Sequence, residues 1–99
     1  MLLRSVALAS AGIMLATVPA SAAGTTVRLG DDFFRPGTER VAKGTRVVWV
    51  NRGDSRHTVT ARRWSVVLSP GERYSRRVKR GFRYVCTYHG AMTGRIIVR

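Results

Sequence analysis

The sequence predicts an all-β domain, an antiparallel β-sandwich or small barrel of seven to eight short strands. Turn dipeptides arrive at short intervals, at Gly30-Asp31, Pro36-Gly37, Lys43-Gly44, Gly53-Asp54, Pro70-Gly71, Arg80-Gly81, His89-Gly90 and Thr93-Gly94. The runs between them are rich in β-branched and aromatic residues and alternate apolar with polar side chains. No segment beyond the first 23 residues repeats its apolar residues at a helical period.

The chain begins with a different kind of segment. Arg4 is followed by an apolar run from Val6 to Val18, and then by the small-residue stretch Pro19, Ala20, Ser21, Ala22 and Ala23. That is the pattern of a secretory signal peptide, residues 1–23, cut after Ala22 or Ala23. The alternative is an uncleaved anchor, but the run falls short of the ~20 residues that span a bilayer. The expected mature domain is residues 24–99, exported to a periplasm, a cell wall or the medium.

Strands are expected at Thr25 to Leu29, around Glu39 to Val41, and at Thr45 to Asn51, His57 to Thr60, Val66 to Leu68, Arg73 to Val78, Phe82 to Thr87 and Gly94 to Arg99. Period two assigns faces within them. Phe82, Tyr84 and Cys86 share one side against Arg83 and Val85, and Ile96 and Val98 share one side against Arg95, Ile97 and Arg99.

A domain this small buries little surface, and folds of its size usually add a disulfide or a metal. Cys86 is the only cysteine, so no disulfide forms within the chain. The full chain carries +13, and losing Arg4 with the signal leaves the domain one charge lower. Such a domain attracts anionic partners and surfaces.

Chemistry concentrates in Tyr84-Val85-Cys86-Thr87-Tyr88-His89-Gly90-Ala91-Met92-Thr93-Gly94, which holds the pattern C-x-x-H-x-x-M between two strands. A tight loop turned by Gly90 and Gly94 would aim Cys86, His89 and Met92 at one point. His57 is the only other histidine and the candidate fourth ligand. Two imidazoles, a thiolate and a weak axial thioether are the donor set of blue-copper electron-transfer sites. Zinc is the nearest competitor, but structural zinc sites want four Cys or His ligands, and His57, Cys86 and His89 are three. Singly, each residue has a bland reading as a core or strand-end side chain. Together they use every His, Cys and Met beyond the signal segment.

With these residues in place, the chain resembles the cupredoxins, and among them the small plastocyanin and amicyanin-like proteins. The likeness runs through Asp32-Phe33-Phe34-Arg35-Pro36, Lys43 to Asn51, His57-Thr58-Val59-Thr60, Leu68-Ser69-Pro70-Gly71-Glu72 and Tyr84 to Gly94, covering about Thr25 to Arg99. It implies a Greek-key β-sandwich holding one copper ion on His57, Cys86, His89 and Met92. It also implies a hydrogen bond from Asn51 toward Thr87 that ties the two ligand-bearing segments together. The chain departs from the pattern in its shortness, in Tyr88 and Gly90 where amicyanin-like loops place prolines, and in the basic segment from Asn51 to Arg56.

The expected function is one-electron transfer by an exported monomer, with the solvent edge of His89 as the port and an acidic protein as redox partner. Copper storage or delivery is the alternative. A third reading is a basic module that binds anionic membrane, wall polymer or, without sequence specificity, nucleic acid, through Arg62-Arg63, Arg76-Arg77 and Lys79-Arg80. An enzyme is not expected, because a saturated single-copper site leaves no position for substrate.

Overall fold

The computed structural model describes residues 24–99, so the expected signal segment and its processing site lie outside the described residues. Nine strands follow in chain order: β1 Thr25–Leu29, β2 Phe34–Arg35, β3 Thr38–Val41, β4 Thr45–Asn51, β5 His57–Thr60, β6 Ser65–Leu68, β7 Arg73–Val78, β8 Phe82–Cys86 and β9 His89–Val98. They form two sheets, β2-β1-β4-β7 and β3-β9-β8-β5-β6. Five of the eight connections cross from one sheet to the other. The described residues contain no helix.

The sandwich is as expected, but its pairing is mixed rather than purely antiparallel. β1 runs parallel to β4 and β3 runs parallel to β9, while the remaining pairs are antiparallel. Alternation within a strand reports which face is buried and is the same whichever way a neighbour runs, so the pattern could not reveal this. The short β2 is not among the strands read from alternation, though it falls in Asp32 to Pro36, where the resemblance places an early strand and turn, and β9 begins at His89 rather than Gly94.

Residue chemistry sets the turns. In Ser69-Pro70-Gly71-Glu72 the Glu72 amide donates to the Ser69 carbonyl at 2.9 Å, and Gly71 has φ +88°. Proline at the second position and a left-handed glycine at the third are the requirements of a type II turn. Ala42-Lys43-Gly44-Thr45 repeats the arrangement, with Thr45 N–H to Ala42 O at 3.1 Å and Gly44 at φ +88°.

Alternation then fills the space between the sheets. β1 buries Val27 and Leu29, β4 buries Val47, Trp49 and Asn51, and β8 buries Tyr84 and Cys86. In β9, Met92 and Ile96 are buried while Arg95 is exposed. Trp49 is the centre of an aromatic cluster, with ring centroids 5.6 Å from Tyr84, 5.8 Å from Trp64, 6.2 Å from Tyr74 and 6.3 Å from Phe82. Such a wall of rings resists deformation, because interiors packed at crystal-like density shift in discrete steps. One end of that rigid body holds the C-termini of β4 and β8 and the N-termini of β5 and β9.

Candidate metal centre

Three of the four expected ligands meet at that end. One nitrogen from each of His57 and His89 and the sulfur of Cys86 all lie within 4.8 Å of one another. Cys86 Sγ is 3.8 Å from His57 Nδ1, and the two imidazole centroids are 5.1 Å apart. His57 and Cys86 are fully buried, whereas His89 is partly exposed. Met92, the fourth expected ligand, is buried in β9 and belongs to the same apolar cluster as Cys86.

The loop that gathers these residues is tighter than expected. Only Thr87 and Tyr88 separate β8 from β9, and Cys86 pairs with His89 across a register shift after Val85. A bulge of this kind re-aims one side chain relative to its strand. Neither Gly90 nor Gly94 has a positive φ, so neither turns the chain through a left-handed conformation. Gly94 instead pairs with Tyr84, whose ring occupies the space that a Cβ would need.

Hydrogen bonds hold two of the expected ligands, Cys86 and His57. The backbone amide of Thr58 donates to Cys86 Sγ at 3.4 Å. Burial pushes the Cys86 thiol up, but hydrogen bonding from the backbone, the Thr58 amide first, outweighs it, so the thiol is held below its ordinary value. A thiolate-favouring pocket is a metal-ready pocket, since the thiolate is the ligand.

The tie between the two ligand segments runs through Thr58 and not Asn51. Thr87 N–H donates to Thr58 Oγ1 at 2.8 Å, and the two hydroxyls are 3.3 Å apart. Asn51 braces its own turn instead. Its Oδ1 accepts the Gly53 amide at 2.8 Å, and its Nδ2 donates to the carbonyls of Ser55 and Leu68, each at 2.8 Å. Asparagine hydrogen-bonds locally two residues ahead very readily, and that preference wins here.

Sequence reasoning also missed Asp31. Its Oδ1 lies 3.1 Å from His57 Nε2, on the side of the ring away from Cys86. The hydrogen bond with His57, followed by the amides of Ser55 and Asp54, holds the Asp31 carboxyl below the usual carboxylate range. A Gly-Asp pair at the end of a strand reads as a turn, and nothing local announces a contact 26 residues away.

The donor set fits one copper ion. Two imidazole nitrogens and a cysteine sulfur converge in a largely buried, apolar-backed site, and a buried thioether stands in the adjoining strand. The basic pairs are elsewhere. Arg62, Arg63, Arg76, Arg77, Lys79 and Arg80 line one groove of about 490 Å³, with Arg76 stacked 4.4 Å over Trp64. The groove lies beyond the C-terminus of β5 and the N-terminus of β8, at the opposite end of the sandwich from the ligands.

No protein-family model matches the chain, and no curated protein matches it either. Solved structures do. A purple cupredoxin from Nitrosopumilus maritimus superposes with a TM-score of 0.68 at 18% identity, covering 76% of this chain and 99% of that one. A reduced amicyanin variant gives 0.68 at 21% identity, covering 85% and 88% of the two chains. The chain has the cupredoxin fold. A copper-containing nitrite reductase from Thermus scotoductus SA-01 also contains it, with a TM-score of 0.69 and 26% identity. That match covers 86% of this chain but only 26% of the reductase. Cupredoxin architecture accounts for the mixed sheets.

Proposed function

We propose that this chain is an exported mononuclear blue-copper protein that carries single electrons, with His57 Nδ1, Cys86 Sγ, a His89 ring nitrogen and the Met92 thioether as ligands. The observation that carries this reading is the convergence of two imidazoles and one buried sulfur within 4.8 Å, from segments 29 residues apart, at one end of a rigid sandwich. A copper ion bound there supplies reversible one-electron chemistry between Cu(I) and Cu(II).

The chain's own residues suit that task. Thr58 and Thr87 tie the His57 and Cys86 segments together through buried or part-buried hydrogen bonds, so these donors move little between oxidation states. Water is kept from His57 and Cys86, while His89 reaches solvent beside Tyr88, which is 49% exposed, and the exposed Gly90 and Ala91. That small uncharged rim gives a partner a close approach to the His89 edge. Arg52 and Arg56 are exposed on the neighbouring turn beside Asp54, and the net positive charge of the whole domain favours an acidic partner. The domain works as a monomer in this reading, and export rests on the signal-like pattern of residues 1–23.

The test is to add Cu(II) to the purified protein and look for an intense thiolate-to-copper visible band, absent in Cys86→Ser. Failure of the band to form removes the proposal. Copper release to a competing chelator separates carriage from delivery: a carrier holds its ion in both oxidation states, and rapid Cu(I) loss would favour delivery.

A further inference from the structure

The parallel pairing of β1 with β4 has a chemical result. Leu29 at the end of β1 lies beside Asn51 at the end of β4, and the Arg52 amide donates to Leu29 O at 2.9 Å. The turn after β1 is thereby laid against the turn that precedes His57, which brings Asp31 to the outer edge of the His57 ring. There Asp31 Oδ1 meets three groups, the amides of Asp54 at 2.9 Å and Ser55 at 3.2 Å and His57 Nε2 at 3.1 Å. Gly53 completes the cradle, because a Cβ at that position would collide with the Asp31 carboxylate.

The chain has only five acidic residues against 18 basic ones, and this one is held against a buried imidazole. Asp31 accepts two backbone N–H groups on the same oxygen, so the carboxylate is located before the imidazole is considered. A carboxylate can only accept, which fixes the proton of the neutral ring on Nε2 and leaves the Nδ1 lone pair facing Cys86 Sγ.

We propose that Asp31 is a positioning residue for the metal site that lowers its reduction potential. It locks His57 in the tautomer that presents Nδ1 to the metal, and through the Nε2–H bond it makes the ring a stronger donor. A stronger donor and a nearby negative charge both favour the higher charge state of a bound ion. The Thr58 amide on Cys86 draws electron density from the sulfur and acts the other way. The potential of the site is thus tuned by opposed hydrogen bonds on two of its buried ligands, His57 and Cys86. The inference rests on the copper reading above, and its test is arranged so that the two fail separately.

In the reduced, metal-free protein, ¹⁵N NMR should show His57 as the Nε2–H tautomer with a slowly exchanging ring proton, and Asp31→Ala should lose that protection. This measurement needs no copper and stands even if the blue band never appears. In the copper-loaded protein, Asp31→Asn should keep the band and shift the potential positive. Asp32→Asn, which removes an exposed charge with no contact to His57, should shift it much less. Gly53→Ala, which pushes the carboxylate off the ring, should move the potential in the same direction as Asp31→Asn. A His57 ring protonated on Nδ1, or equal potential shifts in Asp31→Asn and Asp32→Asn, overturns the proposal. Should Asp31→Asn bind no copper, the tautomer in the metal-free protein decides alone.

Discussion

At Cys86, the Thr58 amide donates to a fully buried sulfur at 3.4 Å, and this makes the residue's expected behaviour specific. Cys86→Ser should abolish the visible band, since thiolate supplies the colour. His57→Ala and His89→Ala should disrupt the site, and Met92→Leu should leave a coloured but shifted band because the axial thioether is weak. Absorption spectra of the copper-loaded variants check all four. A second expectation concerns Tyr88, whose amide lies among the donors that favour the thiolate form of Cys86. Tyr88→Pro deletes that N–H, so donation from the thiolate increases, Cu(II) is favoured and the potential should fall. Voltammetry of parent and variant in one buffer tests it, and an unchanged or higher potential would exclude the hydrogen bond as a tuning device. The meeting of His57, Cys86 and His89 was legible because Cys86 and His89 share a short spacing and His57 was the only other histidine. Asp31 and Thr58 were not, because each acts through a contact more than 25 residues away and looks locally like an ordinary turn or strand residue.

Among the elements, β9 shows where spacing misleads. Gly94 reads as a turn residue, yet it sits inside a ten-residue strand and its hydrogen makes room for the Tyr84 ring. Tyr84 is 1% exposed and packs edge-on against Phe34 at 4.7 Å and against Trp49, so it has nowhere to retreat. Gly94→Ala should therefore destabilise the domain by about 1–3 kcal/mol, the usual cost of overpacking a filled core. In a domain of this size each kcal/mol lowers the melting temperature by roughly 4–8 °C. Gly90, where an added Cβ meets nothing within 4 Å, should accept alanine with little change in thermal melting of the apo-protein. Similar melting of both variants would show that Tyr84 can move aside. Most strand positions and inward faces were legible from alternation. The β1–β4 and β3–β9 pairings were not, since parallel neighbours are joined by long crossovers whose destination no local pattern encodes.

For the whole molecule, the basic charge and the metal pole are separate features of one body, and each has its own consequence. The apo-domain is small, and a ligand that binds only the folded form adds stability of about 4 kcal/mol when free metal stands about 1,000-fold above Kd. Copper should accordingly raise the melting temperature, and equal melting of apo and loaded protein would deny the metal a structural part. The charge acts at longer range. A net +13 on the full chain creates a field that steers encounter with an acidic partner before short contacts form. It is screened over about 8 Å at physiological ionic strength but over about 30 Å at 0.01 M salt. Electron-transfer rates measured by stopped flow should thus fall steeply with salt against an acidic partner and rise or stay flat against a basic one. Position should matter as well as total charge. Arg52 and Arg56 lie on the turn beside His57, whereas Arg76 and Arg77 line the groove at the far end. When a partner reaches the His89 edge, the first pair is near its surface and the second is beyond a screening length. Neutralising Arg52 and Arg56 with glutamine should slow association and flatten its salt dependence more than the same change at Arg76 and Arg77. Equal effects from the two pairs would mean that total charge alone governs encounter, and would remove the assignment of the His89 edge as the docking pole.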